Sequence, residues 1–194
     1  MEILRLIDQE VDAATPAAAC AYLVGAAHDA CVSRLHNTVR FSQNDQRWLD
    51  VLKHLLANLG HRSWGYEEGS RGVYVLETSW RQTEPRIKGE ADAIAYIRGY
   101  FDAEGGLPRD PAARPYVQFV QKNYADLSLT RELMEGLGIG CGRLHNPSSV
   151  VDPHYWRFYV RAASLDRFGY LIGSWHPRKR ALLMSRAAVA CTAD

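Results

Sequence analysis

The 194-residue sequence lacks several features that would assign a protein to a class at once. No apolar run approaches the roughly 20 residues that span a bilayer. The acidic start of the chain does not resemble a cationic leader before an apolar stretch. We therefore predict no membrane partner and a cytoplasmic location. No two cysteines have the spacing of zinc ligands, so we expect reduced thiols at Cys20, Cys31, Cys141 and Cys191.

The sequence also lacks a strong charge of one sign and the common catalytic motifs. The net charge of +1 argues against a strongly cationic nucleic-acid binder. Between Arg143 and Arg186, however, eight bases accompany two acids. Such a stretch fits either a surface for an anionic partner or a solvated face. The chain contains no phosphate loop, nucleophile elbow or HExxH stretch, which argues against a small-molecule enzyme of those classes.

An internal repeat organises the chain. Three short matches recur in the same order 74 to 78 residues apart: 21–25 with 95–99, 39–43 with 117–121, and 59–60 with 137–138. Repeats at fixed spacing indicate repeated structural units. We predict a first unit over 16–88 and a second over 89–186, between an N-terminal extension (1–15) and a C-terminal tail (187–194).

The residue pattern predicts the same order of elements in both units. Each unit begins with a helix, over 16–30 and 90–103, and continues with a strand and an amphipathic helix. Hairpins follow over 61–79 and 140–161, and a trailing helix covers 165–174. Antiparallel strands with helices on one face make an α+β fold. The predicted architecture is a tandem repeat of α-β-β-α-β-β units.

The uncovered face of each sheet carries polar side chains. Apolar and polar residues alternate along 38–43 and 154–161, and one face of an antiparallel sheet can meet solvent. Arginine and glutamine read base edges, and arginine also binds phosphate; an ordinary polar sheet face is the alternative interpretation. Together with a basic turn near residue 178, these faces supply the candidate DNA-binding residues Thr38, Arg40, Ser42, Gln118, Arg157, Tyr159, Arg161 and Arg178.

The end of the helix that opens the second unit combines small residues with an acid. Residues 96–105 read YIRGYFDAEG. Gly99 and Ala103 lie on one helix face, where small side chains let two helices approach closely; Gly25 is the repeat counterpart of Gly99. Glu104 follows at the helix C-terminus. A carboxylate is electrostatically unfavourable there; a divalent cation is the simplest group to offset it, and an ordinary exposed acid is the alternative interpretation.

This segment resembles the LAGLIDADG motif of homing endonucleases, and the arrangement around it is similar over about residues 17–185. The resemblance implies two pseudo-two-fold units whose antiparallel sheets form a saddle over double-stranded DNA. It further implies a monomer that recognises a long site during intron homing. Carboxylates at the ends of the two motif helices would hold Mg²⁺ and support hydrolysis of phosphodiester bonds in both strands.

The resemblance also assigns roles to individual residues. Glu104 matches the metal-binding acid of the second motif. Gln43 and Gln121 end the matching strands and correspond to polar residues around the attacking water. Lys179 matches a basic residue near the scissile phosphate, and Lys88 is its expected counterpart in the first unit.

The first motif departs from the pattern. Residues 23–31 read LVGAAHDAC, with Ala30 at the acidic position. Asp29 comes one residue earlier, rotated by about 100° on an ideal helix. Either the helix end is distorted and Asp29 binds metal, as we predict, or this centre lacks its ligand. The second case leaves open a nickase that cuts one strand. It also leaves open a binding protein without cleavage, such as a DNA-binding regulator or an intron RNA maturase.

Overall fold

The computed structural model describes residues 2–70, 72–81, 86–110 and 113–191. The chain divides into two compact units. The first runs from the N-terminus to Ala103 and includes Trp175–Pro177; the second contains Glu104–Ser174 and the chain from Arg178 onward. Among the helices of these ranges, none combines the length and apolar character that a membrane span requires.

The helices occur in both units and are numbered in chain order. They are α1 (Glu2–Asp12), α2 (Pro16–Ala26), α3 (Gln46–Asn58), α4 (Glu90–Glu104), α5 (Tyr124–Gly136), α6 (Leu165–Leu171) and α7 (Pro177–Cys191). Short 3-10 turns follow α2 at Ala27–Asp29 and precede α6 at Ala162–Ser164.

The strands form one antiparallel sheet in each unit. They are β1 (Cys31–Ser33), β2 (Thr38–Gln43), β3 (Ser63–Glu67), β4 (Tyr74–Thr78), β5 (Gly105–Gly106), β6 (Gln118–Gln121) and β7 (Trp156–Tyr159). The strand order is β1-β2-β4-β3 in the first sheet and β5-β6-β7 in the second. The predicted α+β fold with two antiparallel sheets is therefore confirmed.

Local sequence signals explain the boundaries of the first unit's helices. The Thr15 side chain accepts a hydrogen bond from the Ala18 amide at 3.2 Å, and Pro16 occupies the first turn of α2. The Asp45 carboxylate caps α3 in the same way. After α3, Gly60 takes a φ of +77°, a conformation that glycine adopts without steric cost. These caps place α3 against the sheet.

Each sheet buries one face in an apolar core. In the first unit, Val39 and Phe41 of β2 are buried, as is Trp48 of α3. In the second unit, the rings of Phe119 and Phe158 stack with centroids 5.2 Å apart. The alternation along β2 and β7 thus predicts the core faces correctly.

The structure corrects four predicted boundaries. Helix α2 ends at Ala26 rather than at residue 30, because a 3-10 turn follows it. The helix predicted over 90–103 extends to Glu104, and β5, which the sequence pattern missed, follows it directly and pairs with β6. The predicted strand over 140–145 consists of two isolated bridges, at Cys141 and His145. The trailing helix α6 ends at Leu171, shortly before Gly173 takes a φ of +57°. The sequence pattern also missed α1, which forms within the predicted extension.

Candidate active site and nucleic-acid interface

The two motif helices touch through their glycines. A Cβ atom at Gly99 of α4 would lie 2.0 Å from the carbonyl oxygen of Tyr22 in α2, and one at Gly25 would lie 2.2 Å from the carbonyl oxygen of Tyr96. Backbone meets backbone at this crossing, so any side chain larger than hydrogen would force the helices apart. Ala103, the third small residue that the sequence singles out, is half-buried in the last turn of α4.

A buried hydrogen-bond network surrounds Asp102, one turn beyond Gly99. The Asp102 carboxylate, 1% exposed, accepts hydrogen bonds from the Tyr22 hydroxyl at 2.6 Å and from the amides of Trp175 and His176 at 2.8 and 3.1 Å. Burial, followed by the neighbouring Asp102 charge, raises the pKa of Tyr22 well above its usual value, which keeps the hydroxyl a donor. Sequence reasoning gave Asp102 no role. The available signal was its spacing, because a residue three positions after Gly99 lies on the same side of the helix.

In the first unit, the acid nearest the motif position pairs with the predicted glutamine. The Gln43 side-chain amide donates a hydrogen bond to the Asp29 carboxylate at 2.7 Å. Asp29 is exposed and ends the 3-10 turn that follows α2. It therefore does not occupy a buried position within the helix contact, where an unpaired carboxylate would be costly.

The second unit carries the equivalent pair. Gln121 donates a hydrogen bond to the Glu104 carboxylate at 3.3 Å, and its side-chain oxygen accepts one from the Lys122 amide at 2.7 Å. Both ends of the Gln121 amide are thus fixed, which determines which of them faces the acid. Glu104 is half-buried at the end of α4.

Strand register shows that Asp29 and Glu104 hold matching positions. Gly105 pairs with Phe119 in the second sheet. In the first sheet Cys31 pairs with Arg40, the repeat counterpart of Gln118, and Gln118 pairs with Gly106 in the second sheet, so Cys31 corresponds to Gly106. Ala30 therefore corresponds to the glycine after the motif. The residue before it, Asp29, corresponds to the acid.

The 3-10 turn explains how a shorter motif reaches the same register. Asp29 lies four residues after Gly25, whereas Glu104 lies five residues after Gly99. One α-helical and three 3-10 residues advance about 7.5 Å, the same distance as five α-helical residues. The accumulated rotations then differ by about 40° instead of about 100°. The tighter turn thus compensates for one missing residue.

The open face of the first sheet holds a charged cluster around Arg40. The guanidinium contacts Glu68 at 2.7 Å, Glu77 at 3.0 Å and the Tyr66 hydroxyl at 3.2 Å. We refer to Arg40, Tyr66, Glu68 and Glu77 as the Arg40 cluster. Sequence reasoning found Arg40 but missed its partners.

Two further candidates on this face differ in exposure. Ser42 is exposed, as predicted, but Thr38 is only 5% exposed. The expectation that Thr38 faces solvent is wrong, since Thr38 pairs with Ser33 at the start of β2 and is buried there.

The open face of the second sheet is basic and aromatic. Gln118 lies between Gly106 and Tyr159 in register. Arg157 donates to the His145 ring at 3.2 Å and lies 5.5 Å from the centre of the Tyr159 ring. Arg161, exposed at the end of this strand, donates to the Cys141 carbonyl at 2.9 Å. Flat rings and guanidinium groups on one face suit contact with bases and phosphates.

The remaining basic candidates lie at helix starts. Arg178 is exposed and Lys179 half-buried in the first turn of α7. Lys88 is exposed just before α4, where its amide donates to the Asp92 carboxylate at 3.1 Å. Lys88 and Glu104 thus lie at opposite ends of the same helix. Within the described ranges, no group of three or more His, Cys, Asp or Glu side chains is arranged to hold a metal.

Comparisons with known proteins identify the fold. No family model and no curated protein matches the sequence. The crystal structure of I-DmoI, a homing endonuclease, in complex with DNA and Mn aligns at 16% identity with a TM-score of 0.63, over 82% of this chain and 98% of that one. The N-terminal LAGLIDADG domain of DUF199/WhiA aligns at 17% identity and a TM-score of 0.65, over 82% and 84% of the two chains.

Full-length DUF199/WhiA from Thermatoga maritima also aligns, at 14% identity and a TM-score of 0.69. That alignment covers 93% of this chain but spans only 62% of the larger protein. At such identities the likeness establishes a common fold.

Proposed function

We propose that this chain, which has the LAGLIDADG fold, is a site-specific double-stranded DNA endonuclease that depends on a divalent metal. The observation that carries the proposal is the repeated carboxylate–glutamine pair. Asp29 bonds to Gln43, and Glu104 bonds to Gln121. The two acids come from motifs of different length yet hold the same position beside their strands. A purely structural role for Asp29 does not require that a 3-10 turn make up for the residue missing from the first motif.

The chemistry of the acids fits Mg²⁺ or Mn²⁺. These ions prefer oxygen ligands, and Mg²⁺ uses one or two carboxylates together with water and substrate phosphates. Asp29 in the first unit and Glu104 in the second would each supply a carboxylate oxygen to a bound metal. A dedicated cluster of three acids is unnecessary for that mode of binding. When bound, the metal supplies Lewis-acid stabilisation of the charge that develops on the phosphate. I-DmoI, which has this fold, has been crystallised with DNA and Mn and with DNA and Ca.

The glutamines position the acids. An amide N–H that donates to a carboxylate favours its ionised form and restricts its rotation. Gln121 is itself held by the Lys122 amide at 2.7 Å, so Glu104 meets a fixed donor. In the first unit, Gln43 donates a hydrogen bond to the Asp29 carboxylate. This positioning role supplements the contact with the attacking water that the family resemblance implies.

The basic residues would bind the DNA. Arg157, Tyr159 and Gln118 form the contact face of the second sheet, and Lys179 would stabilise the scissile phosphate as its charge develops. Lys88 is the proposed counterpart in the first unit. In hydrolysis a water oxygen bonds to phosphorus, one ester P–O bond breaks, and the water proton ends on the leaving oxygen.

Cleavage of DNA recovered by binding selection tests the proposal. A randomised duplex pool is selected in Ca²⁺, and the recovered duplexes are then incubated with Mg²⁺ or Mn²⁺. We expect Glu104→Gln to lower the cleavage rate at least about 100-fold while duplex affinity changes little. Asp166→Asn is the matched control, because Asp166 is an exposed acid on α6 and its loss changes the net charge equally. Equal cleavage by both variants contradicts the assignment of Glu104.

The second candidate is a binding protein without cleavage, or a nickase. It is favoured by the unequal settings of the acids, since Asp29 is exposed on a 3-10 turn whereas Glu104 is half-buried at the end of a regular helix. Strand-resolved products separate these outcomes. A wild-type protein that binds a duplex but leaves both strands intact is a binding protein, and one cut strand indicates a nickase.

A further inference from the structure

The Arg40 cluster contains two acids with different degrees of burial. Glu77 lies opposite Arg40 in the sheet register and is 7% exposed. Glu68 follows β3 and has a side chain that is 51% exposed. Both carboxylates contact the same guanidinium, at 3.0 and 2.7 Å. Glu77 is therefore a fixed partner of Arg40, while Glu68 is a partner that solvent or another molecule can replace.

The atoms involved determine what replacement would release. Glu77 contacts Nε of Arg40, whereas Glu68 and the Tyr66 hydroxyl contact Nη2. Removal of Glu68 would free an Nη2 donor and would leave the ion pair between Nε and Glu77, at 3.0 Å, in place. A solvent-exposed ion pair contributes little net stability, so a well-placed acceptor can exchange with Glu68.

The cluster also carries a net negative charge, since two carboxylates accompany one guanidinium. A phosphate that approaches Arg40 and makes no strong specific contact is also repelled by the carboxylate of Glu68. On the open face of the second sheet, Arg157 contacts the rings of His145 and Tyr159. The two sheets thus differ in how readily an arginine meets a phosphate.

We infer that Glu68 is a specificity-determining residue that competes with DNA for Arg40. Non-cognate duplex leaves the Arg40–Glu68 pair intact, whereas a cognate base edge or phosphate replaces Glu68 at Nη2. Glu68 therefore lowers affinity for random DNA more than affinity for the cognate site. This inference rests on the proposed binding of duplex DNA.

The neighbouring acid supplies a matched control. Glu67 is exposed like Glu68, and its replacement by glutamine changes the net charge identically. Because side chains alternate along a strand, Glu67 lies on the opposite face of β3 from Tyr66. The pair Glu68→Gln and Glu67→Gln therefore separates release of Arg40 from a general change in charge.

The experiment measures affinity for random-sequence duplex and for a selected duplex at several salt concentrations. We expect Glu68→Gln to raise affinity for random duplex about three- to tenfold and to steepen the salt slope by about 0.9, the value for one additional phosphate contact. Affinity for the selected duplex should rise less, so discrimination falls. In an Arg40→Gln background, Glu68→Gln should have no further effect.

Two results would overturn the inference, and they can be told apart. If Glu68→Gln and Glu67→Gln shift affinity and salt slope equally, Glu68 does not act through Arg40, although DNA binding stands. If the wild-type protein binds no duplex at all, the proposed function and this inference fail together. Far-UV circular dichroism and urea midpoints establish that all variants are folded.

Discussion

At Gly99 the backbone of one motif helix rests on the backbone of the other, and a single methyl group tests that contact. The added Cβ atom would lie 2.0 Å from the carbonyl oxygen of Tyr22 and 2.9 Å from the amide nitrogen of Ala26. Ordinary Cβ contacts begin at 3.4 Å. The two helices must therefore separate by about 1.4 Å along the line from the added Cβ atom to the Tyr22 oxygen. Neither atom belongs to a side chain that could rotate away.

Opposing effects set the size of the change. Helix propensity alone favours alanine over glycine by about 1 kcal/mol. Overpacking typically costs about 1 to 3 kcal/mol, and more against rigid atoms. Separation of the helices also strains the buried hydrogen bond from Tyr22 to Asp102, which measures 2.6 Å; a hydrogen bond to a charged group contributes about 1.5 to 3 kcal/mol. We expect Gly99→Ala to lower the free energy of unfolding by about 2 to 4 kcal/mol.

Urea denaturation followed by tryptophan fluorescence measures this loss, because Trp48 and Trp175 belong to the same unit as the contact. The control is Gly136→Ala at the end of α5, where an added Cβ meets nothing within 4 Å. That substitution should stabilise the protein by up to about 1 kcal/mol. The reasoning is refuted if Gly99→Ala unfolds within about 0.5 kcal/mol of the wild type, or if it is as stable as Gly136→Ala.

Three further predictions concern the acid, the DNA and the thiols. Asp29→Ala should abolish cleavage of one strand. The additional substitution Ala30→Asp should not restore that cleavage, because Ala30 holds the register of the glycine after the motif. If strand-resolved products show that cleavage recovers, position 30 and not position 29 is the equivalent of Glu104. Arg157→Ala should weaken duplex binding and reduce the salt slope by about 1, and an unchanged slope would place Arg157 off the DNA. Burial raises the pKa of Cys141 to about 12. At pH 8 maleimide should therefore modify the exposed Cys31 far faster than Cys141, which peptide mapping by mass spectrometry measures. Equal rates would contradict the burial of Cys141.

The repeat and the alternating strands could be predicted from the sequence because they depend on local order. Period-two alternation assigns Phe41 and Phe158 to the core, where both are buried. The acid of the second motif ends a helix of regular length, so counting residues from Gly99 locates Glu104 correctly at the helix end.

What could not be predicted depends on geometry between distant residues or on a change of helix type. A count along an ideal helix misplaces Asp29, since the 3-10 turn changes both rise and rotation. The partners of Arg40 come from Glu68 and Glu77, 28 and 37 residues later in the chain. Only the pairing of β2 with β4 and of β4 with β3 brings those side chains together.

The missing residue in the first motif also changes what the inner positions do. Counted from the glycines, His28 stands where Asp102 stands in the second motif. Asp102 can be buried because the Tyr22 hydroxyl and two backbone amides satisfy its carboxylate. His28 instead bonds to the Tyr96 hydroxyl at 3.0 Å and packs 4.3 Å from the Tyr100 ring. The second motif therefore divides its two acids between a buried anchor, Asp102, and Glu104 at the helix end, which we propose as a metal ligand. The first motif keeps only the terminal acid and stabilises its helix end with aromatic contacts.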